Sequence, residues 1–486
     1  MKALRFTIFL VLLAPSASLV ADSHERPNIV YIMSDELAYF EVSYMGSEKL
    51  KTPRIDRMAK EGIRFDRAYA ASPVCAPLRC NLLTGRHAGH ASVRVNDGGT
   101  PLRADEVTVA QSLKDRGYAT GGFGKWGAGG RGSTGVPEKH GFDVFFGYYD
   151  QVHAHTFYPP YLVRNSEEVV LPGNRGGRSG QTYSHYRIME EAFDFIRDHK
   201  DEPFFCYLPI TPPHGMYDIP KDDPAWKLYE NEAWISDPEV SQDARNYAAM
   251  VTMTDRHVGE TLDLLKDLGI DENTVVFFSG DNGGQDRFSG EEHPRGYFGP
   301  NVNPITGQEF RGGKTNLYEG GLRIPFLVRW PGKIEPGRVS DFMFYQVDMF
   351  PTLTEIAGAR NPDGLDGRSI LQVLLGGPGV DDTPYNHDIF YWEYRDQYAV
   401  RSGPWKAIKP GKHKSWELYQ VEEDPSETKD LSVRSPQKLV ELIALAKAAH
   451  EPARPGVFSD PERKDHERDR WAKWGTSGEG PPPRKK

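Results

Sequence analysis

Cysteine is scarce in this 486-residue sequence, which has only Cys75, Cys80 and Cys206. Exported proteins that depend on disulfides carry many more cysteines, so a disulfide framework is excluded, and an odd number leaves at least one thiol over. Cys206 lies in the apolar run FFCYLPI, which predicts a small buried side chain. Cys75, in the segment SPVCAPLRCNLLTGR, has no such simple explanation and becomes a candidate for function.

An excess of basic residues is also lacking. The chain has 59 lysines and arginines against 69 aspartates and glutamates, a formal net charge of -10. Proteins that bind nucleic acids need basic surface to displace counterions from phosphates, so we expect no nucleic-acid partner. An anionic substrate would have to be held by local positive charge.

Long apolar runs are absent as well. The first residues place Lys2 and Arg5 ahead of an apolar run from Phe6 to Leu13, followed by small residues up to Ala21. This pattern predicts a signal peptide over residues 1–21 and an exported, periplasmic or secreted protein. The run is shorter than the roughly 20 residues that span a bilayer, and no later segment qualifies. We therefore expect a soluble mature protein without membrane contact after cleavage.

Several short apolar runs predict strands that are buried on both faces, and helical patterns lie between them. Strands that alternate with helices favour an α/β fold with a large, mainly parallel sheet flanked by helices on both faces. The predicted strands are 28–33, 204–210, 274–280 and 325–330, and the predicted helices are 105–116, 185–199 and 243–268.

The pattern changes near residue 376. Short aromatic alternations over 386–419 predict a small antiparallel sheet, and 435–450 is predicted to be helical. The expected organisation is an α/β domain over 27–375, a C-terminal subdomain over 376–455 and a charged, disordered tail over 456–486.

Polar residues follow the predicted strands at the point where ligands bind in open α/β sheets, outside the carboxyl ends of the strands. Three carboxylates and an amide are hard oxygen ligands that suit Ca²⁺ or Mg²⁺ better than zinc. Asp and Asn beside Gly are also ordinary turn residues, so each pair alone is a weak signal. The residues in question are Asp35, Glu36, Asp281 and Asn282, with His214 and Lys125 after two further runs.

Three cations stand beside turns or glycine-rich segments, namely Arg79, Lys125 and Lys314. A lone lysine or arginine is most often a solvated surface charge. Together with a divalent ion and a reactive group, however, such cations can clamp a tetrahedral oxyanion and the charge that develops as it is transferred.

The segment CAPLR resembles the Cys-x-Pro-x-Arg core of type I sulfatases, the formylglycine-dependent members of the alkaline phosphatase superfamily, and NLLTGR continues the pattern. PNIVYIMSDE, GKW at 124–126, DRHVGETLDLLKDLGIDENTVVFFSGDNG and GGKTNLYEGGLRIPFLVRWPGK are similar to segments of the same family. The resemblance covers the chain from residue 27 to about residue 420.

The resemblance implies that Cys75 is oxidised to formylglycine by a formylglycine-generating or equivalent maturation enzyme, and that the hydrated aldehyde provides the nucleophilic oxygen. It implies a Ca²⁺ ion bound by Asp35, Glu36, Asp281 and Asn282. It also implies that Arg79 steadies the nucleophile, that Lys125 and Lys314 hold sulfate, and that His214 protonates the leaving alcohol.

Two positions depart from the family pattern. The first acidic pair is usually Asp-Asp and here is Asp35-Glu36, and the histidine that commonly follows Gly-Lys-Trp is replaced by Gly127. In the segment 147–165, an extended conformation would place His153 and His155 on one face, so that both could point into a pocket. The hypothesis is that His155 joins the substrate pocket and partly replaces the lost imidazole, with the Phe157-Tyr158 pair stacking on a sugar ring. The alternative is that both histidines are ordinary loop residues.

The resemblance thus implies an exported sulfatase, and export together with a local cationic pocket favours a sulfated carbohydrate as substrate. Two alternatives stay open. One is a phosphonate or phosphodiester hydrolase that also uses formylglycine. The other is a catalytically inactive protein that binds sulfated glycans, which the unusual Leu78, Glu36 and Gly127 suggest.

Overall fold

The structure is a computed structural model that describes residues 26–96, 101–377 and 384–460. The predicted signal peptide and residues 461–486 of the predicted tail lie outside the described residues. The strands are β1 (Asn28–Asp35), β2 (Ile63–Phe65), β3 (Ala68–Tyr69), β4 (Ala119–Lys125), β5 (Val144–Tyr148), β6 (Tyr161–Arg164), β7 (Glu167–Val170), β8 (Phe204–Pro213), β9 (Thr274–Gly280), β10 (Phe326–Arg329), β11 (Arg338–Ser340), β12 (Phe344–Tyr345), β13 (Phe390–Tyr394), β14 (Gln397–Ser402), β15 (Trp405–Lys409) and β16 (Glu417–Gln420). The α-helices are α1 (Pro53–Glu61), α2 (Cys75–Thr84), α3 (Val109–Asp115), α4 (Ser184–Asp198), α5 (Gln242–Asp267), α6 (Glu319–Leu322), α7 (Met349–Ala357), α8 (Leu371–Leu375) and α9 (Pro436–Ala448).

The main sheet has ten strands in the order β11-β2-β10-β9-β1-β8-β4-β5-β6-β7. Its centre, β9-β1-β8-β4-β5, is parallel throughout, with Tyr31 of β1 beside Tyr207 of β8 and Phe277 of β9. Antiparallel pairs appear only outward from this centre in the described sheet, where β10 meets β9 and β2 and where β6 joins β5 and β7. The predicted fold class, a large mainly parallel sheet, is confirmed.

Helices cover both faces of this sheet because successive side chains of a strand point to opposite sides. Ile29, Tyr31 and Met33 share one core cluster with residues of α2, α3 and α7. Val30 and Ile32 share the other cluster with residues of α1, α4 and α5. All eight residues of β1 are buried, as its nearly continuous apolar sequence predicts.

The predicted helix over 105–116 is shorter in the structure. The backbone N–H of Gln111 donates to the Thr108 hydroxyl at 3.3 Å, so Thr108 is the N-cap and α3 begins at Val109. A threonine in this position satisfies one of the free N–H groups of the first turn, which a helix begun earlier would leave without this cap.

The predicted small C-terminal sheet is also present, as the antiparallel order β13-β14-β15-β16 with α9 packed against it. Its other face joins the main core. The indole N–H of Trp392 donates to the carbonyl of Ala70 at 2.8 Å, and the amide of Gln397 donates to the carbonyl of Thr315 at 2.8 Å. The small sheet therefore braces the segments that precede Cys75 and follow Lys314.

None of the helices in the described part of the chain combines the length and the apolar composition that crossing a bilayer requires.

Candidate active site

Four of the predicted site segments meet at one edge of the main sheet. Asp35 ends β1, Lys125 ends β4, His214 follows β8 and Asp281 follows β9. Because β9, β1, β8 and β4 are adjacent and parallel, their carboxyl ends lie at the same edge. Asp35, Lys125 and Asp281 are completely buried there, and His214 is largely buried.

Cys75 is the first residue of α2, and its side chain lies at this edge of the sheet. Its thiol donates to Asp35 Oδ1 at 3.3 Å and to Asn282 Oδ1 at 3.7 Å. Burial, with a further contribution from the charge of Asp35, raises the pKa of the Cys75 thiol to about 12. The thiol therefore stays protonated at neutral pH, and this environment does not support the thiolate that a cysteine hydrolase needs.

Arg79 lies one helical turn after Cys75 and so shares its face of α2. One terminal nitrogen, Nη2, is 3.4 Å from Asp35 Oδ2 and 3.3 Å from Asp281 Oδ2, and the other donates to the carbonyl of Lys125 at 2.6 Å. The guanidinium is fully buried and is stabilised there by these partners.

The carboxylates of Asp35 and Asp281 influence each other across this cluster. Burial alone would raise the pKa of Asp35. Neighbouring positive charges instead hold this pKa well below its ordinary value, above all that of Lys125, whose Nζ is 2.7 Å from Asp35 Oδ2. Burial and the adjacent charge of Asp35 raise the pKa of Asp281 to about 6. With the side-chain oxygen of Asn282, these carboxylates form a set of hard oxygen donors whose repulsion a divalent cation would relieve. The residues fit Ca²⁺.

Glu36 leaves β1 with a φ of 64°, unusual for a residue with a side chain, and its N–H donates to Asp281 Oδ1 at 2.9 Å. Its carboxylate contacts two cations and a histidine ring: Oε1 is 2.8 Å from Lys314 Nζ, and Oε2 is 2.5 Å from His214 Nδ1 and 3.0 Å from Arg287 Nη2. Burial would raise the pKa of Glu36, but these neighbours hold it well below its ordinary value. Its role as a metal ligand stays a prediction.

His214 and Lys314 lie side by side, with His214 Nε2 3.3 Å from Lys314 Nζ. Burial lowers the pKa of His214 and Lys314 adds to the shift, although Glu36 opposes it. The N–H of Lys314 donates to the carbonyl of Gly284 at 2.7 Å, and that of Thr315 donates to the carbonyl of Pro73 at 3.0 Å. These bonds fix the lysine loop between the segments that carry Asp281 and Cys75.

The extended conformation that would place both histidines on one face is wrong, because His153–His155 form a 3-10 helix. The two rings consequently diverge. His153 is buried with Nε2 3.0 Å from the carbonyl of Tyr161, away from the strand ends. His155 packs edge to face on His214, with the ring centroids 4.6 Å apart.

The predicted sugar-stacking role of Phe157 and Tyr158 is also wrong. Both side chains are buried in a hydrophobic cluster, where Phe157 stacks on Tyr183 with centroids 5.4 Å apart. The Phe-Tyr pair is part of the core, because burying large aromatic rings contributes strongly to the free energy of folding.

Two neighbours of the site have no motif that would have revealed them. Arg287 pairs with Glu36, although the two residues are about 250 positions apart in the sequence. Gln151 occupies the space beside Gly127, where a Cβ would lie 2.1 Å from Gln151 Nε2. The segment 147–165 attracted attention through its histidines, but nothing in its pattern distinguishes Gln151.

Comparison with known proteins identifies the family of this chain. The family model described as Sulfatase matches residues 27–359, and the one described as N-sulphoglucosamine sulphohydrolase, C-terminal, matches residues 312–448. The chain is 32% identical over 443 residues to the N-acetylgalactosamine-6-sulfatase of Canis lupus familiaris, covering 85% of this chain and 77% of that protein. It is 30% identical over 486 residues to the steryl-sulfatase of Mus musculus, covering 82% and 73% of the two chains.

Among solved structures, that of Ps i-CgsB in complex with k-i-k-neocarrahexaose is similar, with a TM-score of 0.72, 25% identity and coverage of 91% of this chain and 97% of that one. The fold and the site define a hydrolase of the alkaline phosphatase superfamily. The chain belongs to the sulfatase family and is a sulfuric ester hydrolase.

Proposed function

We propose that this protein is an exported sulfatase that hydrolyses O-sulfate esters of a sulfated carbohydrate, with Cys75 converted to formylglycine beside a calcium ion. The observation that carries this proposal is the single buried cluster in which the Cys75 side chain meets the oxygens of Asp35 and Asn282. Arg79 and Lys125 both pair with the same oxygen of Asp35, Oδ2.

The names of similar proteins support a carbohydrate substrate. One relative is an N-acetylgalactosamine-6-sulfatase, and a similar structure holds a neocarrahexaose. A steryl-sulfatase is also similar, so a steroid sulfate is the competing substrate class. His155, His214 and Lys314 are polar side chains that are partly exposed beside Glu36, which suits the hydroxyl-rich ring of a sugar better than an apolar steroid.

In the proposed reaction the side chains already placed by the fold bind sulfate and move one proton. Arg79, Lys125 and Lys314 provide positive charge for the sulfate oxygens, in a buried site where such charge acts strongly. His214 delivers a proton from Nε2 to the oxygen of the leaving alcohol, and it does so as the imidazolium, because in the neutral ring Nδ1 holds the proton toward Glu36 and Nε2 accepts from Lys314 Nζ. Formylglycine at position 75 would supply the nucleophilic oxygen. Calcium, held by Asp35, Asp281 and Asn282 with Glu36 adjacent, would supply charge that stabilises sulfate.

The burial of the motif constrains its maturation. Cys75 and the four residues after it are buried in the folded chain. A formylglycine-generating or equivalent enzyme needs access to the thiol, so we propose that it acts before folding is complete, during export directed by residues 1–21.

The test of this function is a comparison of substrates on one purified sample whose Cys75 conversion has been measured by mass spectrometry. We expect kcat/KM to be highest for a defined sulfated saccharide and lower for a steryl sulfate and a phosphate diester. Preference for the phosphate diester would favour the phosphodiesterase alternative, and absence of turnover on all three would favour the inactive binding protein.

A further prediction concerns His155. Replacing His155 with alanine removes the ring that packs on His214 and is expected to lower kcat/KM on the saccharide by up to roughly 100-fold, because a displaced proton donor transfers its proton poorly. The variant should retain formylglycine and calcium, which mass spectrometry and metal analysis check.

The matched control for this prediction is His199→Ala, since His199 pairs with Glu202 at the opposite edge of the sheet. That variant should behave as wild type. Wild-type kinetics in His155→Ala would remove His155 from the site.

A further inference from the structure

Gln151 lies in the loop after β5 and fills the space beside Gly127. Gly127 has a φ of +76°, and a Cβ at this position would lie 2.1 Å from Gln151 Nε2 and 3.3 Å from Arg79 Cδ. The carboxamide of Gln151 and the aliphatic part of Arg79 therefore both border the position of this Cβ. A residue from another segment thus occupies the volume that a side chain at position 127 would need.

The carboxamide is buried and unsatisfied. Gln151 is 5% exposed, and neither Oε1 nor Nε2 has a hydrogen-bond partner among the described residues. A buried amide without partners is destabilising, and an apolar side chain of the same length would avoid that cost. This arrangement is expected where a ligand supplies the missing partner.

The surroundings indicate which ligand this is. Gln151 borders the same narrow cavity as Gly127 and Ala76, and Ala76 directly follows Cys75 at the start of α2. Arg79 contributes positive charge near Cys75, but its terminal nitrogens are already hydrogen-bonded to Asp35 and to the carbonyl of Lys125. An anion held at Cys75 would therefore find a neutral N–H donor here, whose desolvation costs less than that of a further buried cation.

We propose that Gln151 is a sulfate-binding residue whose Nε2 donates a hydrogen bond to an oxygen of the sulfate group held at Cys75. The inference rests on the proposed function, which places the sulfate there. In this proposal Gln151 occupies the space that a side chain at position 127 would otherwise fill.

The first test replaces Gln151 with methionine, which keeps the length of the side chain and removes its polar atoms. We expect kcat/KM to fall by roughly 100-fold, as after loss of one preorganised donor. The melting temperature should be equal to or higher than that of wild type, because the unsatisfied amide is gone. The control is Gln242→Met, an exposed glutamine on α5 whose amide donates to Asn246. Unchanged kcat/KM, or a loss of activity matched by a loss of thermal stability, would overturn the proposal.

The second test does not depend on turnover. Inorganic sulfate is titrated by calorimetry, with calcium present, into a Cys75→Ala protein and into the Cys75→Ala, Gln151→Met double variant. We expect the affinity to weaken by roughly 10-fold, which corresponds to one hydrogen bond to a charged group. Equal affinities, or no sulfate binding to Cys75→Ala itself, would overturn the proposal. A weakened affinity in a protein whose wild type turns over no sulfate ester would instead contradict the proposed function alone.

A conservative variant separates hydrogen bonding from packing. Gln151→His restores one N–H donor and is expected to recover part of the sulfate affinity that Gln151→Met loses. Failure to recover any of it would exclude the hydrogen bond as the cause.

Discussion

A Cys75→Ala variant is expected to fold and to lose at least about 10⁴-fold of its turnover, the scale seen when a nucleophile is removed. The Cys75 side chain is the proposed precursor of the nucleophilic group, and its Sγ lies 3.3 Å from Asp35. Alanine is a good helix former, so α2 should persist, and loss of one small buried atom should cost about 1 kcal/mol of folding free energy. Turnover is measured on the saccharide that wild type prefers, and folding is measured by thermal denaturation.

The matched control is Cys80→Ala, the same substitution in the same buried helix. Cys80 contacts Ser92 at 3.7 Å and is not part of the acidic cluster. We expect this variant to lose a similar amount of stability and to keep its activity. Substantial turnover by Cys75→Ala, or equal losses in the two variants, would rule out Cys75 as the source of the nucleophile.

Removal of divalent cations is expected to abolish turnover, and added calcium is expected to restore it. Without a cation, Asp35 and Asp281 are buried together, and the pKa of Asp281 is raised to about 6 by burial and by the charge of Asp35. Binding of a cation to the folded state alone should also stabilise it, by about 2.7 kcal/mol when calcium exceeds its Kd 100-fold. Activity and melting temperature are measured across a calcium titration of metal-free protein.

An Asp281→Asn variant provides the second readout. It removes one of the two repelling charges, so its metal-free form should be at least as stable as that of wild type, while its stabilisation by calcium should shrink. Asp271→Asn is the control, because Asp271 pairs with Arg329 away from the acidic cluster. Full activity in thoroughly metal-free protein, or a calcium response in Asp281→Asn equal to that of wild type, would refute the proposed metal ligands.

Three of the five central strands could be predicted because their sequences are locally unambiguous. The apolar runs that became β1, β8 and β9 are too continuous for a surface element, and α5 is long enough for its periodicity to be clear. The prediction did not include the central strands β4 and β5, and among the outer strands of the main sheet it included only β10. β2, β6 and β7 have three or four residues each, and such short segments form strands only because a neighbouring strand supplies their hydrogen bonds.

The proximity of the strand-end residues could be predicted, because it follows from the order of the strands in the sheet. Polar residues after adjacent parallel strands must meet at one edge, which is how Asp35 and Asp281 come together. Prediction failed for the histidine segment, where two wrong assumptions followed from one local pattern. The side chain of His153 is buried because the backbone forms a 3-10 helix there. Phe157 is buried because it packs in a hydrophobic cluster formed with distant segments.

The sequence by itself determined the fold class, the family and the chemical types of the groups at the strand ends, since these follow from local patterns and from a distinctive motif. Only the tertiary structure decided how those groups are partnered. Glu36 is paired with Lys314, His214 and Arg287, and Gln151 takes the space at Gly127, because segments far apart in the chain are brought within a few ångströms by the order of the strands. A local pattern carries no information about such contacts, since the electrostatic and packing energies that select them act between residues that are neighbours only in space.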